Sequence, residues 1–190
     1  MKENLKNCIT TYSGTIFDTL DPDIEDIRIE DIAHALSMIA RANGHFPEFF
    51  SVGQHSLQCA NEAIARNYSP EVVMACLVHD GSEAYLSDIT RPLKKNLTMY
   101  LQIEKQLQDL VYEKFVGAPL DEETEELVKN VDDACLYYEF EHYKGKRIMP
   151  TEPILLSEPE YKFRMMKDVE EEFLWMYKQI RNELVHATDI

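Results

Sequence analysis

The chain has 190 residues, 45% of them hydrophobic, with 19 Lys and Arg against 35 Asp and Glu, for a formal charge of −16. A chain of this size buries roughly 70% of the surface its unfolded form exposes, which predicts a single globular domain and excludes disorder of the whole chain. The acidity excludes a duplex nucleic-acid binder and a protein held on anionic membranes, but not one that meets a small phosphorylated ligand through a few local cations or a metal.

Residues 1–28 read as an irregular, turn-rich arm, with Tyr12-Ser13-Gly14 and the acidic stretch Asp18 to Pro22. From Ile29 the periodicity is helical: Ile32, Leu36 and Ile39 predict a helix over 29–42, ended by Gly44. A second is predicted over 51–66. A third opens on Ser69 as cap and Pro70 as first helical residue, and runs to His79-Asp80, where Gly81 weakens it. Thr90-Arg91-Pro92 predicts a bend. Helices follow over 98–115, 121–143 and 159–184, with a break at Gly117 to Pro119 and a loop around Gly145, Pro150 and Pro153. No alternating strand pattern stands out. The expected fold is all-α, a helical bundle of about six or seven helices in one domain over 1–190. In it a metal-site core spans 29–143, and a loop and C-terminal helix span 144–190.

The four cysteines, Cys8, Cys59, Cys76 and Cys135, form no CxxC pair and read as free thiols of a reducing compartment. The first residues are polar, and no run approaches the roughly 18 apolar residues that would span a membrane. The expected location is cytoplasmic.

The chemistry starts from misplaced polar groups. His79-Asp80 follows directly on the apolar stripe Val72, Val73, Cys76, Leu77. Asp132 lies on the line Val128, Asp132, Cys135, Glu139, spaced three or four residues apart, and so faces inward. His55 sits one turn after Val52 and one before Cys59. Each residue has a plain reading: a cap, a salt bridge, a satisfied core histidine. Together, His55, His79, Asp80 and Asp132 make a mixed imidazole and carboxylate set suited to one divalent ion (Mn, Fe, Co, Ni, Zn or Mg) with positions left open. Glu83, four residues past His79, is either a surface acid or a carboxyl placed for acid/base work beside a metal-bound water.

In these elements the sequence resembles the HD-domain metal-dependent phosphohydrolases. They are Ser51-Val52-Gly53-Gln54-His55-Ser56, then His79-Asp80-Gly81-Ser82-Glu83-Ala84-Tyr85, then Asp88-Ile89-Thr90-Arg91-Pro92-Leu93-Lys94, then Val128-Lys129-Asn130-Val131-Asp132. Within that superfamily the chain looks most like the small bacterial group related to 5′-deoxynucleotidases. The similarity runs over about residues 12–143 and includes Ile29 to Ser37, Arg41 and Gly44-His45. The resemblance implies that His55, His79, Asp80 and Asp132 are metal ligands and that Glu83, with Asp80, is catalytic. It further implies that Asp88 contacts the substrate sugar and that Arg41 steadies the phosphate, with His45 and Lys94 lining the pocket and Arg91 as a further cation. Ala42 stands where the deoxynucleotidases carry a tryptophan, so no base or sugar preference carries over. No histidine lies between Asp80 and Asp132, where dinuclear members of the superfamily hold a second ion.

The implied activity is metal-dependent hydrolysis of a phosphate monoester, a (deoxy)nucleoside 5′-monophosphate, by a metal-activated water. Two alternatives stay open at this level: hydrolysis of a pyrophosphorylated nucleotide, and a non-catalytic metal- or nucleotide-binding module. Retention of Glu83 favours the enzyme, since a binder does not need it. The aromatics Tyr137-Tyr138 and Phe173 to Tyr177 read as core or as a dimer contact. The amphipathic C-terminal helix allows a homodimer.

Overall fold

Helices dominate the structure, as the periodicity predicts. The computed structural model describes residues 5–188 and shows eight α-helices and a two-stranded sheet among them. The helices are α1 (Ile29–Met38), α2 (Val52–Ala65), α3 (Pro70–Leu77), α4 (Glu83–Leu86), α5 (Arg91–Lys94), α6 (Thr98–Phe115), α7 (Glu122–Lys144) and α8 (Met166–Thr188). The all-α reading holds, with the two single-turn helices α4 and α5 accounting for the larger number.

The centre of the molecule is α2, which packs on α1, α3, α7 and α8. It begins at a capping box: Ser51 accepts from the Gln54 amide, and the Gln54 side chain accepts from the Ser51 amide. Its buried residues run from Val52 to Ala60 without a gap. Such a helix cannot face water and must be covered on every side. Helix α3 is the same kind of element, buried from Val72 to Leu77. Pro70 opens it as expected, but Ser69 makes no side-chain cap bond. At the other end of the bundle, Asp121 caps α7 by accepting from the Thr124 amide at 2.8 Å, and Gly145 closes it in the left-handed conformation.

Three expectations need correction. The arm is not wholly irregular: β1 (Cys8–Thr10) and β2 (Ile16–Asp18) pair antiparallel. The hairpin inserts Phe17, fully buried, against the ring of Tyr85 at 4.1 Å, and Asp31 of α1 accepts from the Ser13 amide at 2.6 Å. Helix α1 stops at Met38 because the next residues bond to the start of α2. Val52 donates to Ile39 and Arg41 to Phe50, at 3.0 and 2.8 Å. Helix α8 starts at Met166 rather than near 159, since the chain before it lies extended along α2. Gln54 and Gln58 donate to the carbonyls of Lys162 and Glu160, and Arg66 to that of Ile154. Gln54 and Gln58 lie one turn apart on α2, and Arg66 follows two turns later at its C-cap, so one helical face holds one extended strap.

One hydrophobic cluster joins the hairpin to α1, α2, α3, α6, α7 and α8, with Phe17, Leu36, Met74, Leu77, Leu107 and Phe173 fully buried. Cys59, Cys76 and Cys135 are buried free thiols. Phe173 and Met176 are core, whereas Trp175 is 58% exposed. Among the described residues no helix is long and apolar enough to cross a membrane.

Candidate metal centre

Helix α3 ends at Leu77, so His79 and Asp80 leave it on a tight turn that ends at α4. The turn is pinned from α6: the Gln108 amide group donates to the Val78 carbonyl at 2.9 Å, and its oxygen accepts from the Ser82 amide at 3.0 Å. Gly81 fits because a side chain there would meet Val111 and the Val78 carbonyl at 2.9 Å. The turn aims the His79 ring at α2 and α7, where His55 and Asp132 face inward.

The expected ligands converge. His55 Nε2 lies 3.2 Å from His79 Nε2 and 3.1 Å from Asp132 Oδ1. Asp80 Oδ2 lies 3.3 Å from His79 Nε2 and 3.8 Å from His55 Nε2. Cys59, one turn after His55, adds a donor that residue spacing did not single out. Single ligand atoms of His55, Cys59, His79 and Asp132 all fall within 4.8 Å of one another. The Cys59 sulfur is 3.5 Å from Nε2 and 3.9 Å from Nδ1 of His55, so it stands over the ring rather than at its edge. Burial, with Cys135 beside it, pushes the Cys59 thiol well above its ordinary range.

The donor chemistry fits a divalent cation. His79 Nδ1 lies 2.8 Å from the Cys76 carbonyl, which can only accept. His55 Nδ1 lies 2.5 Å from Glu139 Oε1, fully buried, on α7. Both rings therefore carry their proton on Nδ1 and, when neutral, turn the Nε2 lone pair toward the other. Two lone pairs and two carboxylate oxygens cannot share this space without a positive charge. Asp80 Oδ2 makes the same point, as it is buried and receives no hydrogen bond. Without a metal, the charge falls on a proton. Burial and Arg41 oppose protonation of His55, yet Glu139 and Asp132 raise its pKa to about 10. Burial also opposes the charge of Asp132, but His55, His79 and Arg91 hold it far below the ordinary carboxylate range. Burial acts likewise on Asp80, where His79, Arg41 and His55 prevail and lower it.

The other expected residues divide into two groups. Arg41 is brought in by a left-handed turn at Ala42 and Asn43, both with φ of 51°. It is buried, with Nη1 3.6 Å from Asp80 and Nη2 3.4 Å from Glu139. Its charge survives burial because Glu139, Asp80, Asp132 and Glu83 surround it. Arg91 reaches down from α5 to bond Asp132 and Asp133. Glu83 is 4% exposed; Lys94 donates to its Oε1 at 3.3 Å, while its Oε2 is buried without a partner. Burial, then the charges of Asp80 and Asp88, raise its pKa well above the carboxylate range. Asp88 is half-buried and is raised by burial and Asp80 against Arg41. Lys94 is committed to Glu83 and, at 2.6 Å, to Glu104. His45 stays outside: it is exposed, and no hydrogen bond or ion pair joins its ring to the cluster. Glu139 shares the inward line of Asp132, and that spacing was the one signal of its place.

The cluster opens on a cavity of about 500 Å³ shared by His79, Asp80, Glu83, Lys94 and Asp132. Leu101, Leu120 and Val128 give it an apolar wall. A further cavity of about 720 Å³ lies between α2 and the strap and contains no residue of the cluster.

No family model matches the chain. Two proteins resemble it along much of its length. It is 39% identical over 113 residues to the uncharacterized protein YfdR of Escherichia coli, covering 58% of this chain and 59% of YfdR. It is 33% identical over 143 residues to the uncharacterized protein RCAP_rcc00048 of Rhodobacter capsulatus, covering 70% of this chain and 71% of that protein. The chain belongs to the family of the Rhodobacter capsulatus protein; its match with YfdR spans under two thirds of YfdR's length.

Proposed function

We propose that the protein is a metal-dependent phosphohydrolase that cleaves a phosphate monoester, with a (deoxy)nucleoside 5′-monophosphate as substrate class. The observation that carries this reading is Glu83. A buried carboxyl with a raised pKa and one unpartnered oxygen opens on the same cavity as the His79, Asp80 and Asp132 donors. A binding module needs the donors but not a carboxyl whose proton is favoured beside them. The resemblance to HD-domain phosphohydrolases supports the same roles.

His55, His79, Asp80 and Asp132 would hold the ion, with Cys59 as a further donor at its edge. A divalent ion there supplies a water of lowered pKa and positive charge for the phosphoryl oxygens. Arg41 stands behind Asp80 and Glu139 and keeps that wall of the site from becoming wholly anionic. In hydrolysis the water oxygen bonds to phosphorus, the bond to the ester oxygen breaks, and phosphate and an alcohol form. Glu83 donates its proton to the departing ester oxygen, an otherwise poor leaving group.

The cavity favours a monoester over a pyrophosphorylated nucleotide. Beyond the donors its cations are Lys94, Lys105 and Lys129, and Glu104, Asp109 and Glu125 line it with them. Lys94 is paired with Glu104, Lys105 with Asp109, and Lys129 with Asp133. One anionic group at the ion and an uncharged remainder suit this balance; a second phosphate has no free cation to meet among the described lining residues.

The test is phosphate release from ribo- and deoxynucleoside monophosphates with manganese, cobalt or magnesium, using Asp80→Ala and Glu83→Gln as comparison proteins. Ion-dependent turnover is expected, abolished in Asp80→Ala and lowered by roughly 10²–10⁴ in Glu83→Gln with ion binding intact. Stoichiometric ion binding with no ester cleaved would overturn the proposal.

A further inference from the structure

Ser87 holds a backbone conformation that serine rarely adopts, with φ 74° and ψ 155°. That region is open to glycine and strained for any residue with a Cβ. Two bonds keep the residue there. Its amide donates to the Glu83 carbonyl at 2.8 Å, and its carbonyl accepts from the Tyr100 hydroxyl at 2.9 Å. Tyr100 comes from α6, outside the segment it restrains. Asp88 is the next residue, and the charges of Arg41, Asp80 and Lys94 act on its carboxyl. The same Tyr100 oxygen lies 3.3 Å from Glu104 Oε1, the oxygen that also receives Lys94. Lys94 in turn donates to Glu83. One phenol thus stands at the meeting point of two paths, a backbone path to Asp88 and a side-chain path to Glu83.

We propose that Tyr100 is a positioning residue that fixes the Asp88 carboxyl beside the donor cluster by holding Ser87 in its strained conformation. This rests on the phosphohydrolase reading, in which Asp88 meets the sugar of the substrate. A conformation with a strain of this kind persists only where its surroundings enforce it. Without the hydroxyl, Ser87 relaxes to negative φ and turns Asp88 away. Glycine at 87 needs no enforcement, as it adopts the same angles freely. The substitution Ser87→Gly should therefore make Tyr100 dispensable.

The experiment compares wild type, Tyr100→Phe, Ser87→Gly and the double variant for kcat and KM with deoxy- and ribonucleoside monophosphates. Cobalt affinity and urea unfolding are measured on the same four proteins. Tyr100→Phe should raise KM about tenfold and flatten the preference between the two sugars, with kcat and cobalt affinity nearly unchanged. The double variant should regain the wild-type KM and preference, and the stability loss from Tyr100→Phe should shrink in the Ser87→Gly background. An unchanged KM in Tyr100→Phe, or a loss that Ser87→Gly does not repair, overturns the proposal. If wild type cleaves no monophosphate although it binds cobalt, the phosphohydrolase reading fails and the role in substrate binding fails with it. The unfolding cycle then decides the tether alone: additive stabilities overturn it, and coupled ones support it.

Discussion

His55 Nδ1 and Glu139 Oε1 stand 2.5 Å apart, both side chains fully buried, across 84 residues of sequence. The contact fixes which nitrogen of His55 carries the proton and which faces the donor cluster. It also gives Arg41 its second anionic neighbour. Second partners of this kind raise ligand basicity and set ring orientation. Glu139→Gln keeps the shape and removes the charge. It should weaken manganese or cobalt binding about 10–100-fold, as read by titration calorimetry, while the fold is retained by circular dichroism. An affinity equal to wild type would show that Glu139 does not orient the ligand.

Ion binding at the donor cluster would also raise stability. A cation that joins two lone pairs and two carboxylates binds the folded chain and has no comparable site in the unfolded one. Manganese or cobalt at about 100 times its Kd should stabilise by about 2.7 kcal/mol. For a domain of this size that is a rise in melting temperature of about 5–10 °C, reversed by chelator. Asp80→Ala and Asp132→Ala should lose the rise. Equal melting temperatures with and without ion in wild type would argue against a cation at this cluster.

The convergence of the donor residues was legible in the sequence because each one breaks a local pattern. Asp132 interrupts an apolar line, His55 sits one turn from Val52 and one from Cys59, and His79-Asp80 ends an apolar stripe. Glu139 lay on the same inward line, but its role depends on a partner on α2, which periodicity cannot show. The hairpin escaped because strands of three residues contain too little alternation to distinguish from turn. The start of α8 was placed too early for a different reason. Residues 159–165 have ordinary helical composition, and what keeps them extended is α2, through Gln54 and Gln58. Arg41 is expected to steady a phosphate; the structure pairs it with Asp80 and Glu139, contacts that no sequence spacing shows and that the left-handed turn at Ala42 sets.

The turn that carries His79 and Asp80 has little slack. Gly81→Ala would place its Cβ 2.9 Å from both the Val111 side chain and the Val78 carbonyl. Relief requires the turn to move, at a cost of about 1–3 kcal/mol. Gln108→Ala removes the clamp without crowding; the Ser82 amide loses its acceptor, and the Val78 carbonyl keeps the Gly81 amide alone. Both variants should lower ion affinity more than a change of equal stability cost far from the turn. Comparing calorimetric affinity with urea stability across the two, with Ile180→Ala, buried beside Pro70 at the opposite end of α3, as the core control, separates misplacement of the ligands from general loosening.

Glu62 predicts how the strap responds to acid. It is fully buried on α2 and accepts from the Leu156 and Ser157 amides, the Ser157 hydroxyl and Arg66, all within 3.1 Å. Burial alone would raise its pKa, but Arg66, Ser157 and the two amides outweigh burial and lower it. A carboxyl with a lower pKa folded than unfolded holds fewer protons when folded, so its contribution rises with pH. That contribution is complete above the unfolded value of about 4.3 and is lost as pH falls through the lower folded value. Glu62→Gln places an amide nitrogen against donors and should cost about 2–4 kcal/mol at neutral pH. Urea unfolding at pH 7 and then at successively lower pH should show the gap between wild type and Glu62→Gln narrowing only below the unfolded value. Proteolysis within 150–165 should quicken over the same range, because the strap loses its anchor first. A gap that stays constant through the acid range would mean that the charge of Glu62 does not hold the strap.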